Sequence, residues 1–185
     1  MRDPDWSPLV VVMAWAKIFR RGFLLENGVD FFDYGIGEDI PFCFKAYKAA
    51  RAVAVSDFVG YNWTFNETSV SNTAHRTFSE ARDPVPLFER LFSVSGADGL
   101  YRFFYVRHVV WHLLYSGRGA APDEFVRQTD RFFAWLASRG VPARYPYRRF
   151  MRKGGDLKAF FAVSAFLWIR RLHLVRAFAR LYCRP

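Results

Sequence analysis

Residues 37–51 read GEDIPFCFKAYKAAR and carry the strongest local signal in the chain. The acidic pair Glu38–Asp39 stands where a loop gives way to apolar residues at helical spacing. Acidic side chains are favoured in the first turn of a helix, because they complement the positive end of its dipole. The stretch therefore predicts a helix that begins at Glu38–Asp39 and continues to about Arg51.

Two stretches flank this helix. Residues 15–24 read WAKIFRRGFL, and residues 61–71 read YNWTFNETSVS. Apolar residues predict that the chain becomes helical through Trp15–Phe19, and Gly22 and Gly28 then predict a loop. Short apolar runs rich in β-branched and aromatic residues predict two strands, at Ala52–Ser56 and Phe58–Phe65.

Beyond the Pro84–Pro86 segment no strand signal recurs. Apolar residues return at helical spacing, separated by Gly and Pro, in four segments: 86–94, 98–116, 122–138 and 155–183. The chain is thus expected to divide into a mixed unit over residues 1–80 and a helical unit over residues 81–185.

Composition and charge narrow the class of protein. Hydrophobic residues make up 52% of the chain and aromatic residues 19%, which excludes an intrinsically disordered protein. Residues 1–100 hold 10 basic and 13 acidic side chains, whereas residues 101–185 hold 17 basic and 4 acidic ones. The basic second half predicts a surface that meets anionic material. The two cysteines form no recognisable framework, which suits a reducing cytoplasm.

The order of the three stretches resembles the second half of the catalytic domain of family 2 glycosyltransferases. In that family a W-x-K-[LI]-[FY]-R-R-x-F-L stretch precedes an E-D pair, and a Y-x-[YW]…N-x-x-S-x-S strand follows. The likeness covers about a third of the chain. It implies an α/β fold, a partial GT-A (Rossmann-like) sandwich half with a short strand pair, followed by an all-α extension.

The resemblance also implies a function. It predicts transfer of a sugar, with inversion, from a nucleotide sugar to a glycan, lipid-linked or polyol-phosphate acceptor. The family's nucleotide-binding half, with its metal-binding D-x-D, has no counterpart here, so the isolated chain is expected to be incomplete and inactive. The complete enzyme is expected to use a divalent metal (Mg or Mn), for which this chain supplies no ligand set.

Site residues follow from the same resemblance. Asp39 corresponds to the catalytic base, which removes the acceptor proton as the anomeric carbon is attacked, and Glu38 would support it or contact the acceptor. The remaining positions are expected to bind substrate: Trp15, Lys17, Asn66, Ser69, Ser71 and Arg76.

Each of these residues also has a purely structural interpretation. Glu38 and Asp39 would then only cap the helix and complement its dipole. Trp15 would be a core residue and Lys17 a solvated cation rather than walls of a substrate cleft. The Asn66–Ser71 loop holds residues that form turns without any ligand.

Two features of the helical unit raise further candidates. His108 and His112 are four residues apart, which is a metal-ligand spacing, but no third ligand is apparent and packed histidines are the alternative. If residues 157–184 form one helix, Lys158, Arg170, Arg176, Arg180 and Arg184 share one side of it and apolar residues the other. Such a helix could lie on an anionic membrane, or pack its apolar face on the preceding helices.

Three classes of function stay open on the sequence: a glycosyltransferase, a non-catalytic acceptor-binding or membrane-surface module that needs a partner chain, and a nucleic-acid binder. Charge alone supports the last class, because no nucleic-acid-binding motif is present, and we expect no nucleic-acid partner. We expect a cytoplasmic protein, peripheral on the inner face of the membrane.

Overall fold

The structure is a computed structural model, and it describes residues 13–33, 37–69, 77–80, 83–96, 99–144 and 157–184. These residues form seven α-helices and one short 3₁₀ turn, Gly117–Gly119. The helices are α1 (Arg21–Glu26), α2 (Asp39–Ala49), α3 (Pro84–Ser95), α4 (Gly99–Ser116), α5 (Pro122–Ser138), α6 (Leu157–Arg171) and α7 (Val175–Tyr182).

The main core lies among α3 to α7, and Phe125 of α5 is at its centre. Its side chain is fully buried, and its ring contacts Phe166 of α6 and both Phe178 and Tyr182 of α7. The backbone of Gly117 lies directly against the same ring, so that a methyl group at this position would overlap it. One phenylalanine therefore joins the turn after α4 to the three helices that follow.

The ends of α3 and α5 are defined by standard capping residues. Asp83 caps α3, since its Oδ1 accepts a hydrogen bond from Val85 N at 3.1 Å, and Pro84 occupies the first helical position. Beyond α5, Gly140 has a φ of 65°, and Val141 N donates to Leu136 O at 2.9 Å. This is a Schellman closure, for which glycine is the favoured residue.

Helix α2 packs on two cores at once. Its Ile40 and Phe44 belong to the main core, where Phe44 contacts Tyr101 of α4. On another side of α2, Phe42, Cys43, Ala46 and Tyr47 form a second cluster with Val29, covered by partly buried residues of the preceding segment: Ala14, Phe19, Phe23 and Leu24. The segment before α2 is therefore attached to the helical body through α2.

The predicted α/β fold is wrong for the part of the chain that the structure describes. All regular structure there is helical, and the predicted strands Ala52–Ser56 and Phe58–Phe65 are irregular, solvent-exposed and without strand pairing. Alternating residues predict a strand only if a neighbour supplies the hydrogen-bonding partners. No described segment lies beside these residues as a strand, so the GT-A sandwich half is not formed.

Three smaller predictions also fail. Trp15–Phe19 is not helical, and Ala16 has a φ of 57°, which interrupts a right-handed helix. The predicted loop after Gly22 instead forms α1. The predicted helix at 155–183 breaks between α6 and α7, where His173 has a φ of 59° and Leu174 N donates to Ile169 O at 2.9 Å. This is again a Schellman closure, with His173 in place of the usual glycine.

The helices predicted at 86–94, 98–116 and 122–138 are confirmed as α3, α4 and α5. The division into units 1–80 and 81–185 stays a prediction; α2 packs on α3 across that boundary. Within the described ranges, no helix has both the length and the apolar character that crossing a membrane requires.

The Gly117–Phe125 contact makes a testable prediction. We expect Gly117→Ala to lower the free energy of unfolding by about 1–3 kcal/mol, because the new methyl group overlaps a fully buried ring. Gly22→Ala is the matched control, because its nearest neighbour is a side-chain oxygen of Glu26 at 3.6 Å on an exposed helix. The control is expected to stabilise by up to about 1 kcal/mol. Urea denaturation of both variants measures the difference, and equal stabilities would contradict this packing.

Candidate functional site around Asp39

Asp39 is the first residue of α2, and the chain is directed into this helix by Gly37. Gly37 has a φ of 97°, a value that residues other than glycine rarely adopt. Its carbonyl accepts a hydrogen bond from Ile40 N at 3.0 Å. A methyl group on Gly37 would also lie 3.3 Å from Leu87 of α3. The start of α2 therefore lies close against α3, and the glycine at position 37 permits the turn that leads into the helix.

The acidic pair does not cap α2 through its side chains. Glu38 is the N-cap residue, but its φ of −54° and ψ of −28° are already helical, and its side chain makes no capping hydrogen bond. Among the described residues, the Asp39 carboxylate forms neither a hydrogen bond nor an ion pair. Both residues are half-buried. The hydrogen-bonding part of the capping interpretation is thus not supported, whereas the favourable interaction with the helix dipole holds at this position.

The charges of Lys17 and Asp39 both act on Cys43, which follows Asp39 by one turn of α2. Burial raises the pKa of the Cys43 thiol to about 11, the Lys17 ammonium opposes this rise, and the Asp39 carboxylate adds to it. A thiol with so high a pKa is protonated at neutral pH, which makes Cys43 a poor nucleophile.

Lys17 is held by the backbone around it. Its ammonium donates to the carbonyl of Met13 and, at 3.5 Å, to that of Trp15. The intervening Ala16 has a φ of 57°, so the chain turns sharply here. Lys17 thus has a structural role, closing this turn, and its positive charge acts on Cys43.

Trp15 is half-buried and stacks on Tyr61, which is 48% exposed. The ring centroids are 5.0 Å apart with an interplanar angle of 21°. This contact joins the stretch at residues 15–24 to the stretch at residues 61–71. Tyr61 belongs to the Y-x-[YW] motif of the resemblance, which predicted no role for it.

The Asn66 loop forms a local turn. Asn66 Oδ1 accepts from Thr68 N at 3.0 Å and from the Thr68 hydroxyl at 2.8 Å, and Ser69 N donates to Asn66 O at 3.1 Å. The turn-forming interpretation of Asn66 and Ser69 therefore holds. The two remaining predicted substrate-binding residues, Ser71 and Arg76, lie outside the described residues.

A shallow basic depression of about 440 Å³ lies towards the other end of α2. It is lined by the cations Lys45, Lys48 and Arg90. The ammonium groups of Lys45 and Lys48 donate to the carbonyls of Gly28 and Val94, so they also fasten α2 to its neighbours. Lys45 is six residues, about 9 Å, along the helix from Asp39. The depression is therefore separate from the acidic pair.

The histidines of α4 are packed among aromatic rings. His108 contacts Phe88 and Phe104, and His112 contacts Phe78 and Phe132. Burial lowers the pKa of His108 to about 4, with further lowering by the charges of His112 and Arg107. Within the described part of the chain, no three side chains of His, Cys, Asp or Glu lie together as a metal site. These contacts favour the packed-histidine interpretation.

Comparison of the chain with protein-family models, with curated proteins and with solved structures gives no match.

The low pKa of His108 predicts a loss of stability in acid. Its pKa is about 4 in the folded chain and near 6.5 when unfolded, so protons bind the unfolded state first as the pH falls below 6.5. The contribution of neutral His108 is complete above that pH, and on the order of 1–3 kcal/mol is lost by pH 4. We expect His108→Phe to lose much less stability than the natural chain between pH 7.5 and 5.0 in urea denaturation.

His173→Asn serves as the control, because His173 is exposed and Asn also tolerates its positive φ. This variant should keep the natural pH dependence. An unchanged pH dependence in His108→Phe would show that His108 titrates normally in the folded chain.

Proposed function

We propose that the chain is the acceptor-side portion of an inverting glycosyltransferase in which Asp39 is the general base. The donor is a nucleotide sugar, and the acceptor is a glycan, a lipid-linked glycan or a polyol phosphate. One observation carries the proposal: the Asp39 carboxylate stands at the first turn of a helix, half-buried, without a bonded partner among the described residues. The ordered motifs on either side of it support the same assignment.

Asp39 would accept the proton of the acceptor hydroxyl as that oxygen attacks the anomeric carbon. A carboxylate is an adequate base here because the proton leaves while the new bond forms. Asp39 stands at the positive end of the α2 dipole, where a negatively charged side chain is favoured. Glu38, its neighbour in the chain, is the candidate for a contact to the acceptor.

Trp15 and Lys17 would act on the substrate beside the base. The stacked pair Trp15–Tyr61 is a broad aromatic surface, suitable for one wall of an acceptor site. Lys17 adds a positive charge that acts on Cys43, and it would attract a phosphate group of donor or acceptor. The Asn66 turn and Ser69 offer amide and hydroxyl groups next to the same irregular segment.

The donor side of the reaction must come from residues other than those described. A divalent metal would stabilise the leaving diphosphate, but the described residues do not fit one, since no suitable group of three ligands lies together. We therefore assign the donor site and its metal to a further segment or a partner chain, and the base to this one. The free, buried cysteines Cys43 and Cys183 suit a cytoplasmic protein.

A second candidate is a non-catalytic acceptor-binding or membrane-surface module. The helical character of the described residues favours it, because a nucleotide-binding half of the GT-A type is built on a parallel sheet. Under this candidate the Trp15–Tyr61 surface would bind the acceptor, and a partner chain would carry out the reaction. A contribution of Asp39 to turnover separates the two candidates.

The test is an assay of nucleoside diphosphate release and sugar transfer, with a panel of nucleotide sugars and the full natural polypeptide that contains residues 1–185. We expect Asp39→Asn to lower turnover by about 10²–10⁴-fold, the usual contribution of a general base. Asp57→Asn is the matched control, since Asp57 is an exposed carboxylate of the irregular segment. It should turn over at the natural rate.

Circular dichroism checks that both variants keep the helical content of the natural chain. Turnover of Asp39→Asn within a few-fold of the control would remove Asp39 as the base and favour the non-catalytic module. Turnover of a nucleotide sugar by residues 1–185 alone would contradict the assignment of the donor site elsewhere.

A further inference from the structure

Helix α6 is packed on the core by one side only. Its residues Ala159, Val163 and Phe166 are buried, and Phe166 contacts Phe125 in the main core. The guanidinium of Arg170 continues this side and lies 4.2 Å from the centre of the Phe133 ring. These contacts determine the orientation of α6, and they therefore also determine which of its residues face outwards.

The outer face of α6, together with Leu172 directly after it, carries a stripe of large apolar side chains. Leu157, Phe161, Trp168 and Leu172 are 53%, 64%, 57% and 59% exposed. At about 100° per residue, these four positions fall within an arc of about 60°, opposite the buried residues. We call them the α6 stripe. Large exposed apolar patches lower the solubility of a protein. Four such residues on one exposed face therefore indicate a surface that is covered when the protein functions.

Cations stand on both sides of the α6 stripe. Arg171 lies beside it, its guanidinium 5.1 Å from the centre of the Trp168 ring, and Lys158 is exposed on the other side. Residues 157–184 contain six Lys and Arg side chains in all and no Asp or Glu. Any surface that covers the stripe must therefore accept positive charge at both of its margins.

We propose that the α6 stripe docks on an anionic membrane surface. An anionic bilayer offers what the two observations require, an apolar interior for Leu157, Phe161, Trp168 and Leu172 and negative headgroups for the flanking cations. Fifteen residues of helix span only about 22 Å, so α6 lies in the plane of the interface rather than across the bilayer. A partner helix would need acidic residues on both margins, and a second copy of this basic segment would bring like charges together.

This surface differs from the one expected when residues 157–184 are treated as a single helix. The break at His173 divides the segment, and Phe178, Tyr182 and Leu167 then pack on the main core instead of facing outwards. The inference does not depend on the glycosyltransferase proposal, because it uses neither Asp39 nor any residue around it.

The test is flotation of the 185-residue chain with vesicles of phosphatidylcholine alone and of phosphatidylcholine with phosphatidylglycerol. We expect binding to the anionic vesicles, weakened by salt. Phe161→Ser combined with Trp168→Ser should weaken binding at least about tenfold, because two aromatic side chains no longer enter the bilayer. Phe58→Ser is the matched control, since Phe58 is 81% exposed in the irregular segment, and it should bind as the natural chain does.

Lys158→Gln and Arg171→Gln should each weaken binding about fivefold on anionic vesicles and leave binding to neutral ones unchanged. Circular dichroism checks that each variant is folded. We expect folded variants because all four substituted positions are exposed. Equal binding to neutral and anionic vesicles, or natural binding by the double variant, would overturn the proposal. The proposal would also be overturned if the natural chain formed a dimer in sedimentation, the double variant were monomeric, and the natural chain did not bind vesicles.

Discussion

The contact between the Phe125 ring and the Gly117 backbone is the constraint on which the rest of the described structure depends. Only glycine leaves room for the ring, and the ring in turn meets Phe166 of α6 and Phe178 of α7. The turn after α4 and the last three helices are thereby fixed to one another. A close-packed interior of this kind tolerates little change of volume at its centre, so the inner and outer faces of α6 follow from one contact.

Helix α2 connects the candidate site around Asp39 to the main core. Ile40 and Phe44 place it on the main core, while Cys43 and Tyr47 face the smaller cluster with Val29. Asp39 is therefore positioned by the helical body rather than by a sheet. Two regions with different charge meet at this helix: a first half with slightly more acidic than basic residues, and a strongly basic second half. The proposed general base in the first half and the proposed basic docking face in the second half are compatible in one chain.

The sequence predicted the helices of the second half well, because each combines helical spacing with Pro or Gly at its ends, as at Pro122 and Gly140. It failed at 52–65, where β-branched and aromatic residues favour a strand but say nothing about whether a partner strand exists. It also failed at His173, since nothing in the residue type signals a positive φ. Of the site, the helix start at Asp39 was predictable; the stacking of Trp15 on Tyr61 is a long-range contact that no local pattern contains.

The central claim of this account is a helical body that carries Asp39 on α2 and leaves residues 52–65 irregular and unpaired. Residue-resolved amide hydrogen exchange of the 185-residue chain tests it most directly. The account predicts the slowest exchange in α4 and α5 around Phe125, clear protection in α2, and exchange at the rate of an unstructured peptide for residues 52–65. Protection of residues 52–65 comparable to that of α4 would contradict it, because those amides would then be bonded in a sheet.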